Sequence, residues 1–259
     1  MTPLLAVLQV EAMKLRKSKL LWIVLATFTI APLMGGFFMF VLKNPELAKS
    51  TGLLGAKAQI AGEATWPAYF SMLAQIIAVG GLLVFGFVAS WIFGREYTDR
   101  TIKDLLALPY HRGILVLAKF LVVFATAGLL SLYAVGFGML IGWGISLSGW
   151  SSAVWQEGLF IIVITALLTI SLSTPIAFFA CWGKGYLAPL GFMILMVVFS
   201  QIIAAIGYGD YFPWSIPALY SGIAGEGYNL KASNAFTVLF TSLAGIIGTL
   251  VWWLYADQY

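Results

Sequence analysis

The side chains best suited to chemistry lie in one charged stretch of the chain, from Gly94 to Lys119. Glu96 and Arg112 carry charges there, and His111 is the only histidine in the sequence. Acid–base or nucleophilic catalysis needs a second group within hydrogen-bond reach, and the pattern supplies none for His111. The chain also has neither an H-E-x-x-H zinc motif nor a G-x-x-x-x-G-K-[ST] phosphate-binding loop. The sequence therefore predicts no catalytic site and no metal site.

The same stretch predicts a short helix with one apolar side. Thr101 followed by Asp104 approximates a capping box, and Pro109 would end the helix. The apolar residues between them gather on one side, namely Ile102, Leu105, Leu106 and Leu108. A helix of two or three turns is not stable alone in water, so this one must lie on another surface. Lipid headgroups, the inner ends of the protein's own helices or a partner protein would all serve.

The composition places these residues in a membrane protein. Of 259 residues, 61% are hydrophobic and only 9% are charged, and the mean hydropathy is +0.97. Ordinary domains carry about 25% charged residues, so much of this surface must face lipid. Only helices and closed barrels satisfy every backbone group in lipid, and the long unbroken apolar runs favour helices. The single cysteine, Cys181, excludes a disulfide within the chain.

Six apolar runs predict an all-α integral membrane protein with six transmembrane helices. The spans are expected at about 20–42, 67–93, 114–147, 155–180, 186–206 and 235–255. An amphipathic helix over residues 1–19 should lie at the membrane interface before them. The third run exceeds one crossing, so its glycine-rich end should bend or pack closely against a neighbour. The fourth run should kink at Pro175, where nearby serine and threonine hydroxyls can meet the freed carbonyls.

The basic residues indicate which side of the membrane each loop occupies. Ten Lys and Arg fall in residues 1–19, in residues 94–119 and at Lys184. Four fall on the other side, namely Lys43, Lys49, Lys57 and Lys231. Cytoplasmic loops carry the excess of positive charge, so both termini and the 94–113 loop are predicted to be cytoplasmic. Basic clusters beside apolar runs are typical of membrane topology, so no nucleic-acid partner is predicted.

A few polar and aromatic residues fall on the opposite side of the predicted membrane. Gln75 and Gln201 lie in the outer parts of their spans, where they could line a substrate path or bond to a neighbouring helix. Trp66 and Tyr69 are expected in an aromatic belt at the outer rim. The segment 207–234 is rich in Gly, Pro, Tyr and Trp. Its composition by itself predicts an aromatic loop at the membrane interface.

The charged stretch carries the pattern E…(G)T…LL…P…R…K. The matching residues are Glu96, Thr101, Leu105, Leu106, Pro109, Arg112 and Lys119. In this pattern the chain resembles the cytoplasmic loop of ABC-2-type transporter permeases, most closely the short permeases of the bacitracin-resistance and lantibiotic-immunity type. Where the family commonly has glycine before the threonine, this chain has Arg100. The plan of an interfacial helix, six spans and a loop between spans two and three is also similar.

The resemblance implies a single ABC-2-type transmembrane domain over residues 1–259, of type V exporter-like architecture, in the bacterial cell membrane. Two such permeases, identical or homologous, would each dock on a separate ABC ATP-binding subunit. ATP and Mg²⁺ would bind to those two partners, and this chain would bind no cofactor. The implied ATPase-coupling residues are Glu96, Thr101, Ile102, Leu105, Leu106, Pro109 and Arg112. Segment 207–234 would form short re-entrant pieces closing the outer mouth, with Tyr211, Phe212 and Trp214 as candidate gate residues.

The implied cargo is amphipathic, such as an antimicrobial peptide, a drug or a lipid, and the low charge of the predicted spans agrees with it. The alternative is a secondary carrier or channel that needs no ATP. Such proteins often place ionisable residues or broken helices near the middle of the membrane. The Asp and Glu residues of this chain lie near the span boundaries instead, which favours an ATP-driven permease.

Overall fold

The computed structural model describes residues 2–44, 63–223 and 228–256. Two lysines of the charge count, Lys49 and Lys57, lie outside the described residues, as do residues 224–227 of the predicted outer segment and the terminal residues 257–259. Within the described ranges the chain is helical, and no strand is present there.

Six helices in the described ranges are long and apolar enough to cross a membrane, which confirms the predicted all-α membrane architecture. The N-terminal helix, Pro3–Lys17, precedes them. In chain order the spans are Leu20–Lys43, Trp66–Thr98, Arg112–Ile145, Ser152–Trp182, Leu187–Ala205 and Ala232–Tyr255. A loop helix, Ile102–Leu106, follows span two, and a short helix, Ile216–Tyr220, precedes span six. We call the side that carries the N-terminal helix and the loop helix the inner side, and the opposite side the outer side.

Span two runs further toward the inner side than its apolar run does. The sequence predicts an end near residue 93, but the helix continues to Thr98 through Arg95 and Glu96. A charged residue extends a span only where it is solvated or paired, and Glu96 is buried against partners from distant parts of the chain. In the middle of this span the helix widens into a π turn, Ile76–Gly80, directly after Gln75.

Span three is an unbroken helix of 34 residues, which corresponds to about 51 Å. Of the two alternatives predicted for its glycine-rich end, close packing is the one that the structure shows. Gly138 and Gly142 lie against Leu73 and Trp66 of span two, where a Cβ atom built on Gly142 would lie 2.5 Å from the Trp66 ring. Small residues at these positions let the two helices approach each other.

Span four breaks between Ser171 and Thr174, which confirms the predicted kink. Ser173 Oγ donates to the carbonyl of Ile170 at 2.7 Å. Thr174 Oγ1 lies 2.8 Å from the carbonyl oxygen of Ser242. The hydroxyls therefore satisfy backbone groups at the break, as expected, and one of them also joins the break to span six.

An aromatic cluster joins the outer ends of spans two, three and four. The Trp66 and Trp150 rings meet edge to face with centroids 4.9 Å apart, and the Phe70 and Trp155 centroids are 5.8 Å apart. Trp66 and Tyr69 are both buried inside the protein. The prediction that they form a lipid-facing belt is therefore wrong, because their rings fill the space above the small residues of span three.

The outer segment forms two 3-10 turns, Gly209–Tyr211 and Pro213–Ser215, before the helix Ile216–Tyr220. Ile216 is fully buried in a cluster with apolar residues of spans two, four and six. Those residues are Leu82, Leu168, Leu172 and Val238. The described part of the segment therefore packs down onto the spans as a series of short pieces.

Span six begins at Ala232, beside a polar contact that fixes the outer segment. Lys231 Nζ lies 3.0 Å from Asp210 Oδ2, and Asn234 Nδ2 donates to the Asp210 carbonyl at 2.7 Å. The ammonium of Lys231 stabilises the carboxylate, and this holds the pKa of Asp210 below its ordinary value.

Candidate functional site

The motif residues begin where span two ends. The N–H of Thr101 donates to the Glu96 carbonyl at 2.9 Å, and the N–H of Arg100 donates to the Tyr97 carbonyl at 3.2 Å. This pair of bonds is a Schellman motif, which requires a left-handed residue after the helix. Arg100 occupies that position with a φ of 59°. A left-handed position favours glycine, and this accounts for the glycine that the pattern commonly has before its threonine.

The loop helix differs from its prediction in two respects. The side chain of Thr101 makes no capping hydrogen bond, so the predicted capping box is wrong. The Schellman motif already fixes the Thr101 backbone, and its φ and ψ are not those of a capping residue with an extended backbone. The apolar side is also partly covered by this chain, because Ile102 is buried and Leu105 and Leu106 pack against the core. Leu108, by contrast, is 45% exposed.

A buried ion cluster lies directly behind the loop. Lys119 Nζ of span three donates to Glu96 Oε1 of span two at 2.9 Å, to Glu11 Oε2 of the N-terminal helix at 3.0 Å and to the Ile92 carbonyl at 2.9 Å. Lys14 completes the cluster, 2.7 Å from Glu11 Oε1 and 3.1 Å from Glu96 Oε1. Two ammonium groups thus balance two carboxylates, and every N–H of Lys119 has an acceptor.

The cluster shows what the Glu96 side chain contacts. Glu96 is 2% exposed and is bonded to two lysines of its own chain. Its side chain therefore joins helices within the permease. The motif does contain both Glu96 and Lys119, so the sequence holds half of this cluster. It gives no sign of Glu11, which lies 108 residues from Lys119.

The Arg112 side chain also contacts its own chain. Its guanidinium donates to the carbonyls of Trp253 at 3.1 Å and Leu254 at 3.4 Å, at the end of span six. These carbonyls have no partner within their own helix, so the arginine satisfies them and neutralises the negative end of the helix dipole. Lys43 does the same for span three on the outer side, where it donates to the carbonyls of Ile145 and Ser146.

The remaining candidates on the inner side are exposed. Pro109 lies on the surface beside Leu108, and the side chain of Thr101 also faces outward. Of the seven predicted coupling residues, Glu96, Ile102 and Arg112 thus serve contacts within the chain. Thr101, Leu105, Leu106 and Pro109 remain wholly or partly available at the surface.

The outer candidates have different surroundings. Gln75 is half-buried and donates to Ser71 Oγ at 3.2 Å, which in turn donates to the carbonyl of Ser221. Gln201 is exposed on span five. The structure therefore gives Gln75 a link to the outer segment and places Gln201 on the surface of the described chain.

The three candidate gate residues also differ in their surroundings. Trp214 lies between Phe212 and Phe192 of span five, with ring centroids at 5.5 and 5.6 Å. Tyr211 is 78% exposed and lies apart from that packing. No group of three or more His, Cys, Asp and Glu that could hold a metal occurs among the described residues.

Comparison with known proteins supports the motif. A profile described as "ABC-2 family transporter protein" matches residues 7–200, a range that includes the loop and the whole ion cluster. The chain belongs to the ABC-2 transporter family. It is also 30% identical over 183 residues to the bacitracin transport permease protein BCRB of Bacillus licheniformis, covering 70% of this chain and 88% of that protein.

Membership of the family has direct consequences for the chain. It is a multi-pass membrane protein and the permease subunit of an ABC transporter. Permeases of this family associate with an ABC ATP-binding subunit, and the chain's place in the family is that of the transmembrane subunit.

Proposed function

We propose that this chain is the transmembrane subunit of an ATP-driven exporter, with its inner side in the cytoplasm. Two permeases, identical or homologous, would pair in the bacterial membrane, and each would dock on one ATP-binding subunit. ATP and Mg²⁺ would bind to those partners. The observation that carries the proposal is the loop after span two. Leu108 and Pro109 follow the loop helix and lie at the surface, while the helix itself packs its apolar side against the core of the chain.

The construction of the loop supports a role in transmitting force. Span two, the Schellman motif and the loop helix follow one another without a flexible linker, since Ile102 begins the helix directly after Thr101. Movement of the loop would act on Glu96 through the backbone. Glu96 is bonded to Lys119 of span three and Lys14 of the N-terminal helix. A displacement at the partner surface would therefore reach three helices at once.

The distribution of buried charge supports a driven permease over a secondary carrier. The buried charged side chains of the described residues are Glu11, Glu96 and Lys119, and all three belong to the cluster at the inner end. Carriers that use ion gradients commonly hold ionisable groups near the middle of the membrane. None of the buried charges of the described spans occupies that position.

The proposed cargo is amphipathic, such as an antimicrobial peptide, a drug or a lipid. Apolar walls with hydroxyls and amides favour a largely apolar molecule over a small ion, because an ion in lipid needs charged or carbonyl partners. Ser71 and Gln75 are examples of such polar groups on span two. The similarity to a bacitracin transport permease agrees with a cargo of this class.

The test combines assembly with transport. The tagged permease is purified from its native membrane, and the ATP-binding protein that accompanies it is identified and assayed for ATP hydrolysis. We expect Leu108→Asp to abolish this association while membrane insertion is unchanged. His111→Asp is the matched control, because it adds the same charge close by and aspartate can keep the capping bond that His111 accepts from the Gly113 N–H. Transport in vesicles that proceeds without ATP and stops when the ion gradient is dissipated would refute the proposal.

A further inference from the structure

An open groove of about 470 Å³ lies on the inner side, between the N-terminal helix, the inner end of span two and the start of span five. Its walls bring together cations and apolar side chains. Lys14 and Lys17 come from the N-terminal helix, Trp91 and Arg95 from span two, and Tyr186 from the turn before span five. No contact described for the loop helix or the outer segment involves this groove, so neither of them accounts for it.

The wall formed by the N-terminal helix changes from apolar to basic along the helix. Val10, Met13 and Lys17 line the groove at helical spacing, and all three are exposed. Lys17 forms no hydrogen bond or ion pair with the described residues. The last turn carries three basic residues, Lys14, Arg16 and Lys17. A helix with this composition is typical of a membrane interface with anionic lipids.

The wall formed by span two shows the same change. Trp91, Arg95 and Asp99 follow one another at intervals of four residues, so they share one face of the helix. The Arg95 guanidinium carbon lies 4.9 Å from the Trp91 ring centroid, and Arg95 Nε lies 3.2 Å from Asp99 Oδ2. These contacts hold the Arg95 side chain in place while 32% of it stays exposed. The site is therefore preformed.

We propose that this groove binds the headgroup of an anionic phospholipid. Lys17 and Arg95 are the cations that would contact the phosphate, because arginine and lysine are the usual phosphate ligands. Lys14 already serves Glu11 and Glu96, so it fixes the wall. Lys17 and Arg95 together carry one positive charge more than the one carboxylate in the lining, Asp99, which is paired with Arg95.

The apolar part of the groove argues for a lipid over a soluble anion or an acidic protein segment. Val10 and Met13 are each about half exposed, and Trp91 lies one helical turn before Arg95. Free phosphate would leave these surfaces in water, whereas a phospholipid would place its glycerol and first acyl carbons against them. The proposal goes beyond the transport function and does not depend on it, because it concerns a lipid bound at the periphery.

Native mass spectrometry of the purified full-length chain tests the site. The chain is offered equal amounts of phosphatidylglycerol and phosphatidylcholine in detergent, and we expect a clear preference for phosphatidylglycerol. Each basic residue near a membrane surface contributes about fivefold to binding, so Lys17→Gln with Arg95→Gln should reduce the preference about 25-fold. The matched control is Arg16→Gln with Lys19→Gln, which removes two cations of the same region outside the groove and should keep the preference.

The outcomes separate the possible occupants. If both double variants lost the lipid preference to the same extent, the binding would be due to diffuse electrostatic attraction, and the proposal would be overturned. Displacement of phosphatidylglycerol by millimolar inorganic phosphate would make the groove a site for free phosphate and also overturn it. Unchanged lipid preference together with loss of the ATP-binding subunit in the Lys17→Gln, Arg95→Gln variant would assign the groove to a protein contact. Retention of the preference in Lys17→Arg with Arg95→Lys would show that charge at these two positions is what binds the lipid.

Discussion

Lys119 Nζ of span three lies 2.9 Å from Glu96 Oε1 of span two, and both side chains are buried. This ion pair joins the first and the last residue of the sequence motif. Because each of the two also contacts the N-terminal helix, through Glu11 or Lys14, these two motif residues hold three helices together.

Removal of the central lysine should therefore destabilise the fold. Lys119→Met leaves two buried carboxylates facing only Lys14, and loss of one partner from a buried pair costs about 3–5 kcal/mol. Thermal unfolding in detergent measures the effect. Lys231→Met, which breaks the exposed pair with Asp210, is the control and should leave the unfolding temperature nearly unchanged. Adding Glu96→Gln to Lys119→Met should restore part of the loss, and a double variant less stable than the single one would contradict this account.

The left-handed conformation of Arg100 gives a second prediction. Its φ of 59° costs a non-glycine residue about 1 kcal/mol, so Arg100→Gly should raise the stability by roughly that amount. Arg100→Ala is the matched control, because it removes the same charge and keeps the strained backbone. Both variants are compared with the parent chain in thermal unfolding. If alanine stabilised the protein as much as glycine, the effect would be due to charge and not to the backbone.

The sequence predicts the spans well and the site only in part, and the reason is the separation along the chain. An apolar run is a local signal, so the six spans and the kink at Pro175 could be found from it. The partners of Lys119 lie 23 and 108 residues away. The motif contains Glu96 but does not indicate that its side chain meets Lys119, and no local pattern points to Glu11. The sequence predicts the end of span two too early for the same reason, because Glu96 is treated as a polar boundary residue until its partners are known. The sequence does not predict the Schellman motif, because Arg100 occupies the position where a glycine would have indicated it.

Close packing of spans two and three predicts opposite effects for glycines on one helix. Gly142→Ala would place a methyl group against the buried, rigid ring of Trp66 and should cost about 1–3 kcal/mol. Gly136→Ala and Gly144→Ala meet nothing within 4 Å. They should be neutral or stabilising by up to about 1 kcal/mol through helix propensity. Unfolding temperatures of the three variants decide the point, and similar shifts at all three positions would exclude packing as the cause.

The contact between Asp210 and Lys231 predicts how acid affects the outer segment. Because the folded pKa of Asp210 is lowered, the ion pair is fully present above the ordinary aspartate value of about 3.9. It is lost as the pH falls through the lower folded value. Neutralisation weakens the attachment of the 3-10 turn Gly209–Tyr211 to the start of span six, because only the bond from Asn234 to the Asp210 carbonyl then remains of the two. Pepsin, which works in acid and cuts beside aromatic residues, should therefore cleave near Tyr211 faster as the pH drops below that value.

The variant Asp210→Asn is the control. It should already be cleaved fast at the upper end of the pH range in which pepsin is active, so the ratio of its cleavage rate to that of the parent chain should fall toward one in stronger acid. A ratio that stays constant with pH would show that the carboxylate does not hold the segment.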